Sequence, residues 1–549
     1  MATDDQKPSM NEANDKDPFN NNSYGTLVDT PYRPINLPVL NVEEFNEHVI
    51  RSYEDGTAEK GLGADLAVAR SLIPAGTAQL RDFSYIAPEI PEFIPENCTG
   101  CMECVTECPD TAILGKVLSE PELNEKLDSL IESDDDREMF DKQWSVTRKY
   151  YDGPKKKGKE GGRFAILIDP SKCKGCAECV TVCDDLALEM VPKTEGLIDK
   201  IRKSHRFFKN FGPTDESYVN DNLLIDMMLK EKTLLYVGGA GSCAGCGEGT
   251  ALRMLCAATG AKFDDQWGII AATGCNTVYT STYPYNPYLV PWTNSLFENA
   301  PADAMGVRAR WDQMGWQDKP LWCIGGDGAM FDIGFQSLSR LLASGMNVKV
   351  FVLDTQVYSN TGGQASTSTF TGQNTKMSVH GKVIGGKQEA RKEIAQIAMM
   401  HPRTYVAQTT CAHTNHFYKA VLGALEFDGP AVINCYTTCQ PEHGVADNMA
   451  ADQARLAVDS RAFPLLVFDP RKGNTIKKKL SLQGNPAMKD EWWTNPKSGE
   501  VVDFIDFCRS EGRFGKHFDK EGNPSELILQ ANEERLANWQ TLQELAGLI

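Results

Sequence analysis

Two runs of the chain, CTGCMECVTECPD from Cys98 and CKGCAECVTVCDD from Cys173, repeat one spacing, C-x2-C-x2-C-x3-C. No other feature constrains the fold as tightly, because eight thiols must be gathered into two knots before the segment can pack. Three thiolates spaced two residues apart wrap one 4Fe–4S cube, and the fourth lies past its reach and ligates the other cube. Cys98, Cys101, Cys104 and Cys183 are therefore assigned to one cluster, and Cys173, Cys176, Cys179 and Cys108 to the second. Zinc ribbons instead separate two C-x2-C pairs by a longer loop. Pro109 follows the first run and Asp184 takes its place in the second, an exchange expected to soften the turn without removing a ligand.

The surrounding composition narrows the setting. The opening MATDDQKPSMNEANDKDPFNNN is polar and acidic, unlike a signal or transit peptide. Seventeen cysteines without such a signal point to metal or redox chemistry in a reducing compartment, with the cytoplasm as the default. A net charge of −19 argues against nucleic acid and anionic membrane as partners. No apolar run approaches the roughly 20 residues that span a bilayer.

Along the chain, residues 1–40 read as a disordered acidic leader, 41–90 as a helical segment, and 91–205 as the domain holding both cysteine runs. Prolines 88, 91 and 95 suggest an extended linker into the first run. A linker is expected over 206–232. From Thr233 to about Pro470, short apolar runs (TLLYV, QWGIIAATG, LWCIGG, VKVFVLDT, TYVAQTT, PAVINCY) alternate with helical segments, which predicts βα units on a parallel sheet. Glycines at the turns put the reactive loops at the carboxyl ends of the strands, where open α/β sheets bind ligands. The sheet pattern stops near Pro470, leaving 471–549 as a tail with a closing helix.

Two features of the sheet region carry chemistry. GGAGSCAGCGEG places Cys243 and Cys246 on one loop, and Cys275 and Cys439 follow other strands. The spacing alone leaves zinc, a dithiol or a third cluster open. CIGGDGAMFDIG followed by VFVLDTQVYSNTGGQ offers a Gly326–Asp327–Gly328 turn, then Thr355, Val357, Asn360 and Thr361. Backbone N–H groups and a few oxygens arranged this way suit a diphosphate with its Mg2+, and the Asp327 carboxylate, Thr355 hydroxyl and Val357 carbonyl suit the cation.

Taken together, PEFIPENCTGCMECVTECPDTAI, GSCAGCGE, IAATGC, NSLFENA, IGGDGAMFDIG, LASG, DTQVYSNTGGQ and CQPEHG run in one order over residues 91–445. In that order they resemble the C-terminal portion of the pyruvate:ferredoxin oxidoreductase (pyruvate synthase) branch of the 2-oxoacid:ferredoxin oxidoreductases. The resemblance implies an α/β fold: a parallel-sheet thiamine diphosphate-binding domain preceded by an inserted-type, bacterial 2×(4Fe–4S) ferredoxin-like α+β domain. It implies three 4Fe–4S clusters, the third held by Cys243, Cys246, Cys275 and Cys439 next to the thiamine. It also implies Asp327, Thr355 and Val357 as Mg2+ ligands and Asn360 at the reacting centre.

The activity implied is thiamine-dependent oxidative decarboxylation of pyruvate with coenzyme A, electrons leaving through the clusters to ferredoxin or flavodoxin. The family's pyrimidine-binding and 2-oxoacid-binding domains are not found here, so a separate subunit and a hetero-oligomer are expected. Another 2-oxoacid substrate (2-oxoglutarate, indolepyruvate, oxalate) and a non-catalytic electron-transfer subunit are the alternatives. Lys155, Lys156, Lys157 and Lys159 form a basic run that either docks an acidic acceptor or is simply solvated. Asn294 is expected as a polar contact in the cofactor pocket or as an ordinary buried amide. His443 either serves the cluster or substrate or only caps a turn. Cys256, Cys323, Cys411, Cys435 and Cys508 match no ligand position and are expected in the core.

Overall fold

The structure, a computed structural model, describes residues 42–62, 72–131, 133–209 and 211–549. The leader expected over 1–40 lies outside the described residues. The chain divides into two compact units after Pro74. Helical turns run from Val42 to Glu54 and over Ala58–Gly61 in the first, with Phe45, Val49 and Ile50 buried.

In the second unit the cysteine runs are framed by short strands, numbered here in chain order. β1 (Glu89–Phe93) pairs antiparallel with β5 (Leu188–Pro192). The Pro-rich approach to Cys98 is therefore a strand and not a linker. A two-stranded sheet has only edges, and an edge tolerates Pro91 because its missing N–H serves no second neighbour. A three-stranded antiparallel sheet, β2 (Ile113–Ser119), β4 (Gly162–Ile168) and β3 (Ser145–Val146), completes this α+β layer. Helices Glu120–Leu130, Asp134–Asp141 and Glu195–Lys209 pack on it through Leu123, Leu127, Phe140 and Phe208.

The larger part is an eight-stranded sheet in the order β13-β12-β10-β11-β9-β8-β6-β7. β6 (Gly268–Ala272), β7 (Trp292–Ser295), β8 (Leu321–Gly326), β9 (Lys349–Asp354), β10 (Tyr405–Thr410) and β11 (Ala431–Tyr436) are mutually parallel. β8 to β11 are β-rich apolar runs covered on both faces, as parallel strands must be. β12 (Leu466–Phe468) and β13 (Leu480–Ser481) add antiparallel edges, so the sheet continues past Pro470. Runs of two or three residues are too short to show a period, which is why the pattern ends early in the sequence.

Two other expectations are corrected. TLLYV is not a sheet strand: Glu231–Thr233 is a 3-10 turn, and Tyr236 makes one isolated bridge to Tyr288. Gly238 and Gly239 follow at φ +79° and +75° and turn the chain away, passing so close to the carbonyls of Asp110 and Ala78 that a side chain would collide. Residues 206–232 are not a free linker. Leu224, Met227, Met228 and Leu229 are buried in the core shared by the cysteine layer and the sheet. No helix among the described residues is long and apolar enough to cross a membrane.

Candidate redox and cofactor site

The internal repeat is repeated in the backbone. Gly100 and Met102 in the first run, and Gly175 and Ala177 in the second, adopt positive φ of 74°, 71°, 69° and 65°. Alternation of this kind turns successive N–H groups toward one point, the nest that holds anions and iron–sulfur sites. The N–H of Gly100 reaches the sulfur of Cys98 and that of Glu103 the sulfur of Cys101. Gly175 and Glu178 do the same for Cys173 and Cys176. The turn after each fourth cysteine also matches, Thr111 at φ 53° and Leu186 at φ 54°. Exchange of Pro109 for Asp184 leaves it unchanged.

The thiols fall into three groups. Cys98, Cys101 and Cys104 share a neighbourhood with Cys183: burial, and then one another's charge, raise their pKa values, Cys98 to about 11. Cys173, Cys176 and Cys179 share one with Cys108 by the same two causes, Cys173 rising to about 12. Each fourth cysteine thus crosses to the other run. The second group lines a single pocket. The third group joins Cys246 and Cys275 with Cys243 and Cys439; burial, then the Glu248 charge and after it the neighbouring thiols, raise Cys246 and Cys275. Cys439 sits at about 12. Among the described residues no three His, Cys, Asp or Glu side chains converge on single-ion geometry. A cube takes one thiolate per iron and so asks for wider spacing.

Thiols gathered in fours suit clusters, and the N–H donors aimed at sulfur favour the thiolate once iron is present. Cys256, Cys323, Cys411, Cys435 and Cys508 are all buried and belong to none of the groups.

At the carboxyl end of β8, Asp327 begins the next turn, 1% exposed. Its Oδ1 accepts from the Thr355 hydroxyl at 3.2 Å, and Thr355 Oγ1 lies 3.1 Å from the Val357 carbonyl oxygen. Cis oxygens of a Mg2+ octahedron with 2.0–2.1 Å bonds stand about 3 Å apart, the spacing that Thr355 Oγ1 keeps from each of the other two oxygens. Burial, then the Asp354 charge, raise the Asp327 carboxyl to about 7. Gly326, Asp327, Gly328, Thr355, Val357, Asn360 and Thr361 all line one pocket. Cys275 of the third thiol group lines the same pocket.

Several residues here escape a sequence reading. Ser366 and Ser368 donate to Asp327 Oδ2 at 2.5 and 2.7 Å. Asp354 is buried and ion-paired with Arg391. Glu248 lines the pocket, and burial, then the Asp327 charge, raise it to about 8. A carboxyl two residues past Cys246 was the available signal for Glu248. Asn294, by contrast, is exposed on the edge strand β7, paired in register with Ala271, and does not line the pocket. Phe297, three residues on, does.

The thiol groups are joined by packing. Gly249 lies against Pro109, so the Cys246 loop abuts the Cys108 turn. Arg253 donates to the carbonyls of Cys108 and Ile113 at 3.1 and 3.3 Å, and also to that of Val105. Glu178 accepts from the N–H groups of Ala450 and Ala451 at 3.0 and 2.8 Å, tying the second run to the sheet domain. Cys104 is close enough to Cys108 and Cys179 for their charges to act on one another. Cys101 is exposed. The turn Arg148–Asp152 seats Tyr150 against Gly100, and the exposed lysines 155–159 follow it; Lys155 Nζ lies 3.9 Å from Glu120.

Comparison with known proteins finds matches to parts of the chain and to longer relatives. Residues 272–435 match the thiamine pyrophosphate enzyme, C-terminal TPP binding domain, and residues 91–114 match the 4Fe-4S binding domain. The chain is 30% identical over 503 residues to the probable pyruvate-flavodoxin oxidoreductase of Escherichia coli, covering 78% of this chain and 40% of that one. It is 27% identical over 561 residues to the pyruvate:ferredoxin oxidoreductase of Moorella thermoacetica, covering 86% and 44%. It is 34% identical over 316 residues to the pyruvate synthase subunit PorB of Pyrococcus horikoshii, covering 55% of this chain and 92% of PorB. The chain therefore spans less than half the length of the two longer relatives.

Proposed function

The chain belongs to the pyruvate:ferredoxin oxidoreductase family, and from that premise we propose that it is the cofactor- and cluster-bearing part of an enzyme that oxidatively decarboxylates pyruvate to acetyl-CoA. The observation that carries the reading is the wall common to the Asp327 pocket and the third thiol group, Cys275. Bound there, thiamine diphosphate supplies the electron sink for loss of carbon dioxide, and 4Fe–4S clusters supply one-electron carriers.

The chain's own contribution is binding and alignment. Asp327, Thr355 and the Val357 carbonyl would hold Mg2+; Gly326, Gly328, Asn360 and Thr361 would meet the diphosphate, with Asn360 at the exposed mouth near the reacting centre. Cys243, Cys246, Cys275 and Cys439 would hold the cluster nearest the pocket. Cys108, Cys173, Cys176 and Cys179 would hold the next, and Cys98, Cys101, Cys104 and Cys183 the last. The Gly249–Pro109 contact and the action of the Cys108 charge on Cys104 support that order, and exposed Cys101 supports an exit at the far end. Lys155, Lys156, Lys157 and Lys159, exposed and following the turn whose Tyr150 packs on Gly100, suit an acidic ferredoxin or flavodoxin.

We place the pyrimidine- and 2-oxoacid-binding domains on a second polypeptide, a reading supported by the subunit named PorB among the relatives. The test is anaerobic. The chain alone should bind Mg2+–thiamine diphosphate without turnover. With its copurifying partner, pyruvate and coenzyme A should drive ferredoxin reduction. Preference for 2-oxoglutarate would reassign the substrate, and absence of thiamine diphosphate binding would leave an electron-transfer subunit.

A further inference from the structure

One histidine lies between the two kinds of cofactor site. His443 ends the short helix Gln440–His443, four residues after Cys439, and is fully buried. Its Nε2 stands 2.9 Å from the Thr355 carbonyl oxygen. A carbonyl can only accept, so Nε2 carries the hydrogen. Its Nδ1 accepts from the backbone N–H of Cys439 at 3.4 Å. Both contacts are satisfied by one tautomer, with the hydrogen on Nε2 and the lone pair on Nδ1.

The acid nearest Nδ1 is already engaged. Glu511 Oε1 lies 3.6 Å away, while Oε2 accepts from Arg513 Nε at 2.6 Å and Oε1 accepts from the Tyr436 hydroxyl at 3.2 Å. The ring therefore serves two backbone groups. One belongs to Thr355, whose hydroxyl reaches Asp327. The other belongs to Cys439 of the third thiol group, where the N–H of Glu442 is also aimed at the sulfur.

We propose that His443 is a positioning residue that keeps the Thr355 loop and the Cys439 loop in one register, so that filling of the thiamine diphosphate site is felt at the third cluster. The proposal rests on the functional reading above and adds a coupling that this reading does not require. Metal sites depend on such outer contacts, whose loss costs about 10–100-fold in affinity or activity.

The two contacts are separable. Glutamine presents its amide donor at the reach of Nε2, and asparagine its carbonyl acceptor at the reach of Nδ1. Full-length chain, purified anaerobically with its clusters and any copurifying partner, is titrated by EPR with and without Mg2+–thiamine diphosphate. In the wild type, the ligand should shift the third-cluster signal. H443N should weaken Mg2+–thiamine diphosphate binding by about tenfold or more. H443Q should bind it within about threefold of wild type, yet its third-cluster signal should no longer respond. The signals of the other two clusters report that both variants are folded. A wild-type response in either variant overturns the proposal. So does a wild-type protein that binds the ligand and holds the third cluster with no shift, a measurement that needs no variant. Failure of the wild type to bind thiamine diphosphate or to hold a third cluster instead overturns the functional reading, and the proposal with it.

Discussion

Asp327→Ala should abolish Mg2+–thiamine diphosphate binding, with an affinity loss of at least about a hundredfold. Outer contacts to a metal ligand are worth about 10–100-fold, and Asp327 is proposed as the charged ligand itself. Its carboxylate accepts from the Thr355 hydroxyl, which also lies 3.1 Å from the Val357 carbonyl oxygen. Asp354, the nearest acid acting on it, is committed to Arg391 and to Asn434. Asp327→Asn keeps the shape but loses the charge and turns one acceptor oxygen into a donor, and should fail almost as completely. Ser366→Ala and Ser368→Ala remove donors to Oδ2 and should each cost about tenfold. Equilibrium titration of the purified chain with thiamine diphosphate at fixed Mg2+ reads all four. Binding by Asp327→Ala within about threefold of wild type would remove the cation from this loop.

The second large effect is a loss at a distance in sequence. Cys183→Ser should remove about four irons per chain, and the lost cluster should be the one carried by Cys98, Cys101 and Cys104. A reading by proximity in sequence predicts the opposite, loss of the cluster next door at Cys173. Cys183 lies with the first group, and its sulfur accepts from the Ala187 N–H at 3.2 Å. Cys108→Ser should mirror the result, since Cys108 lines the cavity of the second group. EPR of the reduced variants distinguishes the two clusters by their coupling to the third. Loss of the Cys173 cluster in Cys183→Ser would mean that each run serves its own cube. Because Cys183 belongs to the proposed exit end, its replacement should also slow ferredoxin reduction while leaving thiamine diphosphate binding intact.

These effects follow from features that differ in how openly the sequence displays them. The crossing of Cys108 and Cys183 is legible because thiol spacing and the reach of a cube leave little choice. The Asp327 loop is legible because its two segments keep their order after successive strands. Ser366 and Ser368 are not: they come back to Asp327 from a loop 39 and 41 residues away, and serine carries no spacing signal. Glu248 sits in a recognisable run, but its burial against Asp327 depends on the helix Gly247–Phe263 docking under β8, a tertiary event. Asn294 misleads because the edge strand β7 points it to solvent and delivers Phe297 to the pocket instead. Pro91 misleads because a proline that forbids a central strand is harmless on a two-stranded edge.

Iron, acid-labile sulfide and zinc determined together on anaerobically purified wild-type chain test the account most directly. Three cubes predict about twelve irons and about twelve sulfides per chain, with no zinc. About eight irons would leave Cys243, Cys246, Cys275 and Cys439 without a cluster and cut the path from the Asp327 pocket, and zinc in place of iron would contradict the account altogether.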